Sequence, residues 1–388
     1  MPDGNLRVAP AARVAMVGAG QLARMTHQAA IDYGIDLHVL ATSPTDPAVT
    51  AGAGHTVGRA DDAALLRRLA AEADVMTFDH EHVPLDVLRT MASDGSVIRP
   101  GPAALALGCD KLFARAAVSG LGGLSIPVPA FAPVVESSDV TAFADEHGWP
   151  VVLKARSGGY DGRGVLVADD VAAVERVLAM DGYGDAPRWI VEEQLELAAE
   201  FAVLIARSPS GFTATYPPVG TLQVEGICRE LTIPADLPEE LVRQGASWAR
   251  SILEGFGATG IAAVEYFVTR DGRLLLNEFA LRPHNSGHVT LESCATSQFH
   301  QHLRAILDWP LGETSLLRPA ATVNLIADGS AWDFPTRLPL VLASPDVHVH
   351  LYQKAPRPGR KVGHVTVLAD SVPEALERAR DAAERFLG

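Results

Sequence analysis

Lysine is the scarcest charged residue in this chain. Only four of its 388 residues are lysine, and the rest of the Lys+Arg total is arginine. An ammonium group is a compact point charge and a guanidinium group is a planar fork, so neither freely replaces the other at a tight site. The lysines therefore indicate segments in which to look for charged ligands: they are Lys111, Lys154, Lys354 and Lys361.

Cysteine is also scarce, and long apolar runs and excess positive charge are missing. The three cysteines stand far apart without a C-x-x-C pair, which argues against a disulfide framework or a zinc site. No apolar run approaches the roughly 20 residues that span a bilayer, and the N-terminus does not resemble a signal peptide. A formal net charge of −15 disfavours a nucleic-acid-binding or membrane-binding surface. We expect a cytoplasmic protein whose partners are small molecules.

The chain is long enough for two or three domains, and the pattern of predicted elements changes along it. Strands at 13–20 and 35–41 flank a helix at 21–33, and this alternation predicts a parallel, wound sheet. Strands become more frequent in the second region, where "WIVEEQ" and "EFAVLIAR" are two of them. "PEELVRQGASWARSILEGFG" predicts a long amphipathic helix, and another helix at 372–386 closes the chain.

The first glycine-rich turn, Gly18-Ala19-Gly20, joins a strand to a helix, as in a dinucleotide-binding site. Such a site also has an acidic residue at the end of the second strand, where this sequence reads "ATS" at 41–43. The missing carboxylate disfavours a dinucleotide. An anion bound at the helix N-terminus and a tight turn without a ligand both remain open.

A second glycine-rich segment, "VVLKARSGGYDGRGVLVADD", follows a strand that carries Lys154. A Walker loop needs G-K-[ST] at the start of a helix, whereas this segment runs into a second strand. A glycine loop between two strands, with a strand lysine nearby, is typical of flaps that cover nucleotide phosphates. A plain hairpin is the alternative, although four glycines in seven residues are more than a hairpin requires.

Two glutamates are predicted to face each other in "GIAAVEYFVTRDGRLLLNEFALRPHNSGH". The Asp-Gly pair at 271–272 is a favoured two-residue turn, and counting outward from it pairs Arg270 with Arg273. The same count pairs Glu265 with Glu278, about 5 Å apart at Cβ. Such carboxylates repel each other unless one is protonated or a cation lies between them, and Mg²⁺ prefers oxygen ligands. Two solvated surface glutamates are the alternative.

Polar and basic side chains concentrate in two further segments. One is a loop that no folding argument requires, and it carries Arg282, His284, Asn285, Ser286 and His288. The other is a predicted loop bounded by proline and glycine, and it carries Lys354, Arg357, Arg360, Lys361 and His364. A basic cluster in an acidic chain suits a phosphate monoester, with a solvated loop as the alternative. A metal site in "TFDHEHVP" is disfavoured because successive strand side chains alternate faces.

Together these motifs resemble the ATP-grasp superfamily and, within it, the 5-(carboxyamino)imidazole ribonucleotide synthetase family of purine biosynthesis. The resemblance runs almost end to end and rests on "GAGQLARM", "TFDHEHV", "CDKLFAR", "KARSGGYDGRG", "VEEQ…AAEFAV", "VEYF…NEFALRPHNSGH", "SQFHQHLRAI" and "YQKAPRPGRKVGH". It implies an α/β and α+β fold: a Rossmann-like pre-ATP-grasp domain at 1–110, an ATP-grasp domain at 111–312 with a small lid at about 125–195, and a C-terminal domain at 313–388.

The resemblance also implies a reaction. ATP, bicarbonate and 5-aminoimidazole ribonucleotide would give the N-carboxylated nucleotide, ADP and phosphate, through carboxyphosphate. Mg²⁺ would be the metal, with Mn²⁺ as a possible substitute, and the family suggests a homodimer. The first glycine turn would then present its amides to the ribonucleotide and not to a dinucleotide.

Site residues follow from the same resemblance. ATP would contact Lys111, Lys154, Gly159, Tyr160, Asp161, Gly162, Arg163, Gly164, Val165, Glu192, Glu193, Gln194, Leu195, Glu200, Gln223, Asn277 and Glu278. The metal ligands would be Glu265 and Glu278. The ribonucleotide and bicarbonate would contact Gln21, Leu22, Glu81, Tyr160, Arg163, Arg282, His284, Lys354, Arg360 and Lys361. The catalytic set among them would be Tyr160, Arg163, Arg282, His284 and Lys354.

Two other functions remain open at this point. One is another ATP-grasp ligase, such as a formate-dependent glycinamide ribonucleotide transformylase or a biotin-carboxylase-like enzyme. The other is a nucleotide-binding regulatory protein without turnover. The apparently complete set of Lys154, Glu265, Glu278 and Arg282 argues against the second.

Overall fold

The computed structural model describes residues 10–121, 125–158, 164–181, 188–329 and 334–387. Its strands are β1 (Arg13–Val17), β2 (Asp36–Ala41), β3 (Gly54–Val57), β4 (Val75–Phe78), β5 (Phe131–Val134), β6 (Val151–Ala155), β7 (Val165–Ala168), β8 (Trp189–Glu193), β9 (Leu197–Arg207), β10 (Thr213–Thr215), β11 (Val219–Val224), β12 (Ile227–Ile233), β13 (Gly260–Thr269), β14 (Leu274–Ala280), β15 (Ala320–Ile326), β16 (Val347–Leu351) and β17 (Lys361–Leu368).

The helices are α1 (Gln21–Asp32), α2 (Pro47–Thr50), α3 (Ala63–Ala71), α4 (Leu85–Ser93), α5 (Pro102–Cys109), α6 (Lys111–Ser119), α7 (Ser137–His147), α8 (Val171–Asp181), α9 (Glu239–Gly255), α10 (Thr290–Ser293), α11 (Gln298–Ile306), α12 (Phe334–Leu342) and α13 (Val372–Leu387). A 3₁₀ turn, Asn285–Gly287, precedes α10. Within the described ranges, no helix has the length and apolar character needed to cross a membrane.

The first sheet is parallel, in the order β3-β2-β1-β4. Four of the five residues of β1 are buried, because helices cover both faces of such a sheet. The side chain of Asp62 accepts hydrogen bonds from two amides of the first turn of α3 and so begins that helix. The predicted parallel sheet is confirmed. Its strands β1 and β4 deliver the glycine turn and "TFDHEHV" to one edge.

The second sheet is antiparallel, in the order β5-β8-β6-β7. Strand β6 pairs with β7 so that Lys154 stands opposite Val165, which confirms the predicted pair of strands around the glycine loop. Gly158 and Gly164 flank the loop with φ of 79° and 78°, values that favour glycine. The flap residues between them, 159–163, lie outside the described residues.

The third sheet has nine strands and forms the body of the molecule. Its order is β14-β13-β9-β11-β12-β15-β17-β16, with β10 paired to β9. The C-terminal strands β15, β16 and β17 therefore continue the sheet begun by β9–β14. The predicted long helix is confirmed as α9, and it packs Trp248 against Tyr266 while Tyr266 donates to the carbonyl of Gly245 at 2.8 Å. The predicted closing helix is confirmed as α13, whose alanine-rich side packs on the apolar core of β15 and β17.

The hairpin between β13 and β14 differs from the prediction in its turn. Thr269, not Arg270, is the last paired residue: its amide donates to the carbonyl of Arg273 at 3.0 Å, so three residues form the loop. The predicted pairing of Arg270 with Arg273 is therefore wrong. A β-bulge next to Glu265 restores the predicted register, and Glu265 lies opposite Glu278.

The basic segment near the C-terminus also differs from the prediction. Lys361 and His364 were expected in a loop, yet both lie on β17 and are buried. Strand β17 is the centre of a three-stranded layer between β15 and β16, which accounts for its burial. Only the part of the segment that precedes Lys361 is irregular.

Candidate active site

The cross-strand pair of glutamates lies in a cleft between the second and third sheets. Glu265 is largely buried, and burial together with the charges of Glu278 and Glu200 raises its pKa to about 8. Glu278 is more exposed, and the ammonium group of Lys111, 2.6 Å away, lowers the pKa of Glu278 to about 2. The surroundings therefore favour the neutral form of Glu265 and the charged form of Glu278. The choice between a proton and a cation that separates the two carboxylates stays a prediction.

The β-bulge gives this cleft one more polar group. Successive residues of a regular strand point to opposite faces, but Asn277 and Glu278 both line the cleft because Asn277 is the extra residue of the bulge. The Asn277 Oδ1 atom accepts a hydrogen bond from Lys154 at 3.2 Å. A regular hairpin would have turned one of these two side chains into the core.

A buried ion network holds Lys154 in place. The Lys154 ammonium lies 2.6 Å from Glu192, and the Arg115 guanidinium lies 2.7 Å from the same carboxylate. Burial alone would raise the pKa of Glu192, but the two cations hold it below its ordinary value. Arg115 also donates to the carbonyl of Asn277. Sequence reasoning missed Arg115; its one signal is its place on α6, four residues after Lys111.

The side chains of the first two predicted hinge residues, Glu192 and Glu193, are bound by other parts of the chain. The side chain of Glu192 points into the ion network, so only its backbone is available to an adenine ring. The Glu193 carboxylate accepts from the amide of Ala130 at 2.8 Å. Gln194 and Leu195 lie in the link between β8 and β9, directly before cleft residue Leu197.

The wall of the cleft is completed by residues from β9, β11 and β12. These residues include Glu200, Gln223 and Cys228, and Val165 of the second sheet lies opposite them. Burial raises the pKa of Glu200 to about 7. A carboxylate and an amide at an apolar wall are groups that can bind ribose hydroxyls.

A second cavity adjoins the first. It is lined by Glu81, Gly108 and Arg282, with Arg282 Nε 2.9 Å from the Glu81 carboxylate. A Cβ atom on Gly108 would lie 2.9 Å from the Glu81 side chain, so Glu81 takes its position only beside a glycine. The two cavities share four wall residues: Lys111, Glu265, Glu278 and His284.

The glycine turn at the start of α1 contains a carboxylate from the chain itself. Asp79, at the end of β4, accepts from the amide of Gly20 at 2.7 Å. A Cβ atom on Gly18 would lie 1.6 Å from Asp79 Oδ1. The anion site predicted at this turn is thus partly filled by Asp79, which sequence reasoning did not assign, and the amides of Gln21 and Leu22 follow it in the free first turn of the helix.

Lys354 reaches the same turn from the C-terminal segment. Its ammonium group donates to the Gln21 side chain, and the two residues are 333 positions apart. Arg360 donates to the carbonyl of Ala355 and lines neither cavity, whereas Lys361 lines the first cavity. The structure therefore brings Lys354 to Gln21 at the start of α1, and it places Lys361 in the cavity that contains Lys154 and Glu200.

His284 stands where the two cavities meet. Its Nδ1 atom accepts from the amide of Ser286 at 3.3 Å and lies 2.9 Å from the Ser286 hydroxyl, while Nε2 lies 3.6 Å from Glu265. Asn285 also lines the cleft, and among the described residues neither polar atom of its buried side chain has a hydrogen-bond partner. Sequence reasoning included Asn285 in the polar loop but did not assign it to a ligand.

The donor set in this cleft fits a magnesium ion. Glu265 and Glu278 face each other beside the Asn277 amide, and all three offer the oxygen ligands that Mg²⁺ prefers. The described residues hold no group of three or more His, Cys, Asp or Glu side chains suited to a metal ion. Two carboxylates with room for phosphate oxygens match an ion that binds together with a nucleotide.

The predicted flap residues Gly159, Tyr160, Asp161, Gly162 and Arg163 lie outside the described residues. Gly164 and Val165 follow them, and the carbonyl of Gly164 accepts from the amide of Ala155 at 2.6 Å. This bond closes the base of the loop beside Lys154.

Three family models match consecutive parts of the chain. The ribonucleotide synthetase preATP-grasp domain matches residues 11–108, and the ATP-grasp domain matches residues 120–299. The phosphoribosylaminoimidazole carboxylase C-terminal domain matches residues 320–378.

Curated relatives and solved structures agree with these matches. The N5-carboxyaminoimidazole ribonucleotide synthase of Mycobacterium bovis is 46% identical over 375 residues, which cover 95% of this chain and 86% of the relative. A carboxyaminoimidazole ribonucleotide synthase from Aspergillus clavatus, complexed with ATP, has a TM-score of 0.87 and 32% identity, covering 97% of this chain and 99% of its own. The N5-carboxyaminoimidazole synthase of Aspergillus clavatus in complex with ADP and 5-aminoimidazole ribonucleotide has a TM-score of 0.84 and 30% identity, covering 96% and 99%. Identity that extends over nearly the whole length means that this chain belongs to the family of N5-carboxyaminoimidazole ribonucleotide synthases, the ATP-grasp enzymes that its motifs resemble.

Proposed function

We propose that this chain carboxylates the exocyclic amine of 5-aminoimidazole ribonucleotide with bicarbonate, using ATP and releasing ADP and phosphate. The observation that carries the proposal is the shared wall of the two cavities. Lys111, Glu265, Glu278 and His284 belong to both, so a phosphoryl group in one cavity lies next to an acceptor in the other. A short-lived intermediate could pass between them without leaving the protein.

ATP would lie in the larger cavity. Lys111 and Lys154 would neutralise its phosphates, and Glu200 would bind the ribose hydroxyls. Gln223 and Asn277 border the same space, and the backbone of the hinge at 192–195 would meet the adenine. The flap at 159–165 would close over the phosphates and exclude water.

Mg²⁺ would bind between Glu265 and Glu278, with Mn²⁺ as a substitute. When bound, the ion would supply a positive charge that offsets the charge developing in phosphoryl transfer. Glu265 must lose its proton to serve as a ligand, and it lies next to His284, 3.6 Å away. The carboxylates also keep Lys111 near the phosphate side of the cleft.

The ribonucleotide would lie in the second cavity, with its phosphate at the first turn of α1. The amides of Gln21 and Leu22, the ammonium of Lys354 and the nearby Arg360 would hold that phosphate. Lys361 would act closer to the transferred group, because it lines the ATP side. At the opposite end, the Glu81–Arg282 pair would face the imidazole and bicarbonate, together with Tyr160 and Arg163 of the flap.

The chemistry has two bond-forming steps. An oxygen of bicarbonate attacks the γ-phosphorus, a P–O bond forms, and the bond to the ADP oxygen breaks. Carboxyphosphate then releases CO₂ to the amine, an N–C bond forms, phosphate leaves, and the nitrogen loses one proton. His284 stands where the two cavities meet, and Arg282 lines the second cavity, so both would orient the carboxyl group and stabilise its charge.

The direct test is ADP release measured with each substrate omitted in turn. We expect turnover only with ATP, bicarbonate and 5-aminoimidazole ribonucleotide present, and none with glycinamide ribonucleotide and formate. Turnover with the second pair would show that the proposal is wrong. Lys354→Met should raise the KM for the ribonucleotide but not for ATP, and Arg357→Met, an exposed change on the same segment, should alter neither.

The proposal extends to assembly and location. A cytoplasmic homodimer is the expected form, and sedimentation velocity should give about twice the mass of the chain. A mass equal to one chain at micromolar concentration would contradict it.

A further inference from the structure

Each of two buried glutamines of helix α11 uses its side-chain amide to bond both the backbone amide and the backbone carbonyl of one other residue. Gln298 accepts from the amide of His284 at 2.9 Å and donates to the carbonyl of the same residue at 2.7 Å. Gln301 forms the same pair of bonds with Gly312, at 2.7 Å and 2.8 Å. Both glutamine side chains are completely buried. We call each such pair of bonds a clamp. The clamp of Gln298 holds His284, a residue of the site, and the clamp of Gln301 holds Gly312 in a distant loop.

His284 depends on this clamp because it lies just beyond the end of β14. It has no strand partner there, and a buried backbone amide or carbonyl needs a hydrogen bond. Its carbonyl also accepts from the amide of Gly287, but its amide is bound by the Gln298 side chain. A planar amide that bonds both groups of one residue fixes the position and the tilt of that residue.

The clamp of Gln298 also accounts for the glycine at position 287. A Cβ atom on Gly287 would lie 2.1 Å from Gln298 Oε1, so the turn can approach the glutamine only without a side chain at this position. The φ of Gly287 is not positive, so backbone conformation does not require glycine here. The Gln298 Nε2 atom also lies 3.3 Å from the Nδ1 atom of the buried His288.

The position of the His284 backbone also determines the position of the His284 imidazole ring. The His284 ring is fixed at Nδ1 by Ser286, two residues along the same turn, and its Nε2 atom faces Glu265. Both ring contacts depend on where the His284 backbone lies. Displacing a group that orients a reacting centre by about 1 Å can cost about 100-fold in rate.

We propose that Gln298 is a positioning residue for carboxyl transfer, acting through the backbone of His284. This rests on the proposed function of His284 at the junction of the two cavities. Gln298 contacts neither cavity, and it sets the geometry of a residue that lines both.

The matched pair Gln298→Met and Gln301→Met tests the proposal, since each change removes a pair of buried hydrogen bonds to one backbone residue at nearly constant side-chain volume. Gln298→Met also removes the 3.3 Å contact with His288. Both variants should lose a similar part of their resistance to urea. Only Gln298→Met should lower kcat, by about 10- to 100-fold, with the KM for ATP unchanged. Equal kcat in the two variants would overturn the proposal.

A double variant separates a path through His284 from a general weakening. If Gln298 acts through His284, the kcat of His284→Ala/Gln298→Met should equal that of His284→Ala within about twofold. Losses that multiply in the double variant would overturn the proposal and leave the role of His284 intact. A fully active His284→Ala would overturn the function of His284 itself, and the positioning role with it.

Conservative variants cover the case in which the methionine variants fail to fold. A protonated glutamic acid has nearly the shape of glutamine and can make both bonds, whereas its carboxylate can only accept. Gln298→Glu should therefore retain activity at low pH and lose it as the pH rises, more steeply than Gln301→Glu. Parallel pH profiles for the two variants would contradict the positioning role.

Discussion

Acid should weaken the contact between the first sheet and α11 through one histidine. His302 is completely buried, and its Nδ1 atom accepts from the amide of Ile261 at 3.2 Å. The neutral ring therefore carries its proton on Nε2, which donates to the hydroxyl of Thr77 on β4 at 2.9 Å. Burial lowers the pKa of His302 from 6.5 to about 3. The substitution that tests this is His302→Asn, which keeps an acceptor near the Ile261 amide and cannot take up a proton in this range.

The size of the effect follows from the two pKa values. In the unfolded chain the ring takes up a proton near pH 6.5, whereas the folded protein resists protonation until about pH 3. The stability contributed by the neutral ring is complete above pH 6.5, declines as the pH falls, and is lost near pH 3. At about 1.4 kcal/mol per pH unit, lowering the pH from 7 to 4.5 costs about 2–3 kcal/mol through this one group.

Urea denaturation at the two pH values provides the assay. The free energy of unfolding should fall by about 2–3 kcal/mol more in the natural chain than in His302→Asn, because all other titrating groups are common to both. The asparagine variant should be the less stable of the two at pH 7, since it loses the Thr77 hydrogen bond and ring volume. Equal losses between pH 7 and 4.5 would refute the reasoning.

Three further substitutions test the site and its support. Glu278→Gln should lower ADP formation at least about 100-fold in the steady-state assay, and unchanged activity would rule out the metal role. Glu192→Gln leaves Lys154 without its buried counter-charge and should cost about 3–5 kcal/mol in urea denaturation; a loss below about 1 kcal/mol would contradict this. Gly18→Ala combines a φ of 105° with overlap on Asp79, so it should cost at least about 2 kcal/mol, and an unchanged Tm would contradict the close approach.

The carboxylate pair was predictable because strand pairing follows simple counting from a turn. The prediction held for Glu265 and Glu278 although the assumed turn was wrong, since a three-residue loop and a bulge offset each other by one residue. The burial of side chains selects the register of the hairpin. Leu274 and Leu276 must face the core, and one register places them there while it places Glu265 opposite Glu278. The bulge itself left no sign in the sequence, so the placement of Asn277 in the cleft was not derivable from strand alternation.

Contacts between distant segments were not predictable from a single sequence. Arg115 and Glu192 are 77 residues apart, and an arginine on an amphipathic helix is ordinarily solvated. Asp79 and Gly20 are 59 residues apart, and their contact changes the meaning of the glycine pattern. The glycines resemble those of a dinucleotide site because both situations need a backbone that an anionic oxygen can approach closely. In this chain that oxygen belongs partly to Asp79.

The contacts of the four lysines explain why these positions carry lysine and not arginine. Lys111 bonds to a carboxylate at 2.6 Å, Lys154 does the same within the ion network, and Lys354 bonds to the Gln21 amide oxygen. Lys361 is buried and lines the same cleft. A flat, five-donor guanidinium would need more acceptors than each position offers, and an unpaired buried donor costs about 1–3 kcal/mol. Lysine therefore suits these positions, where a compact charge meets only one or two oxygen atoms.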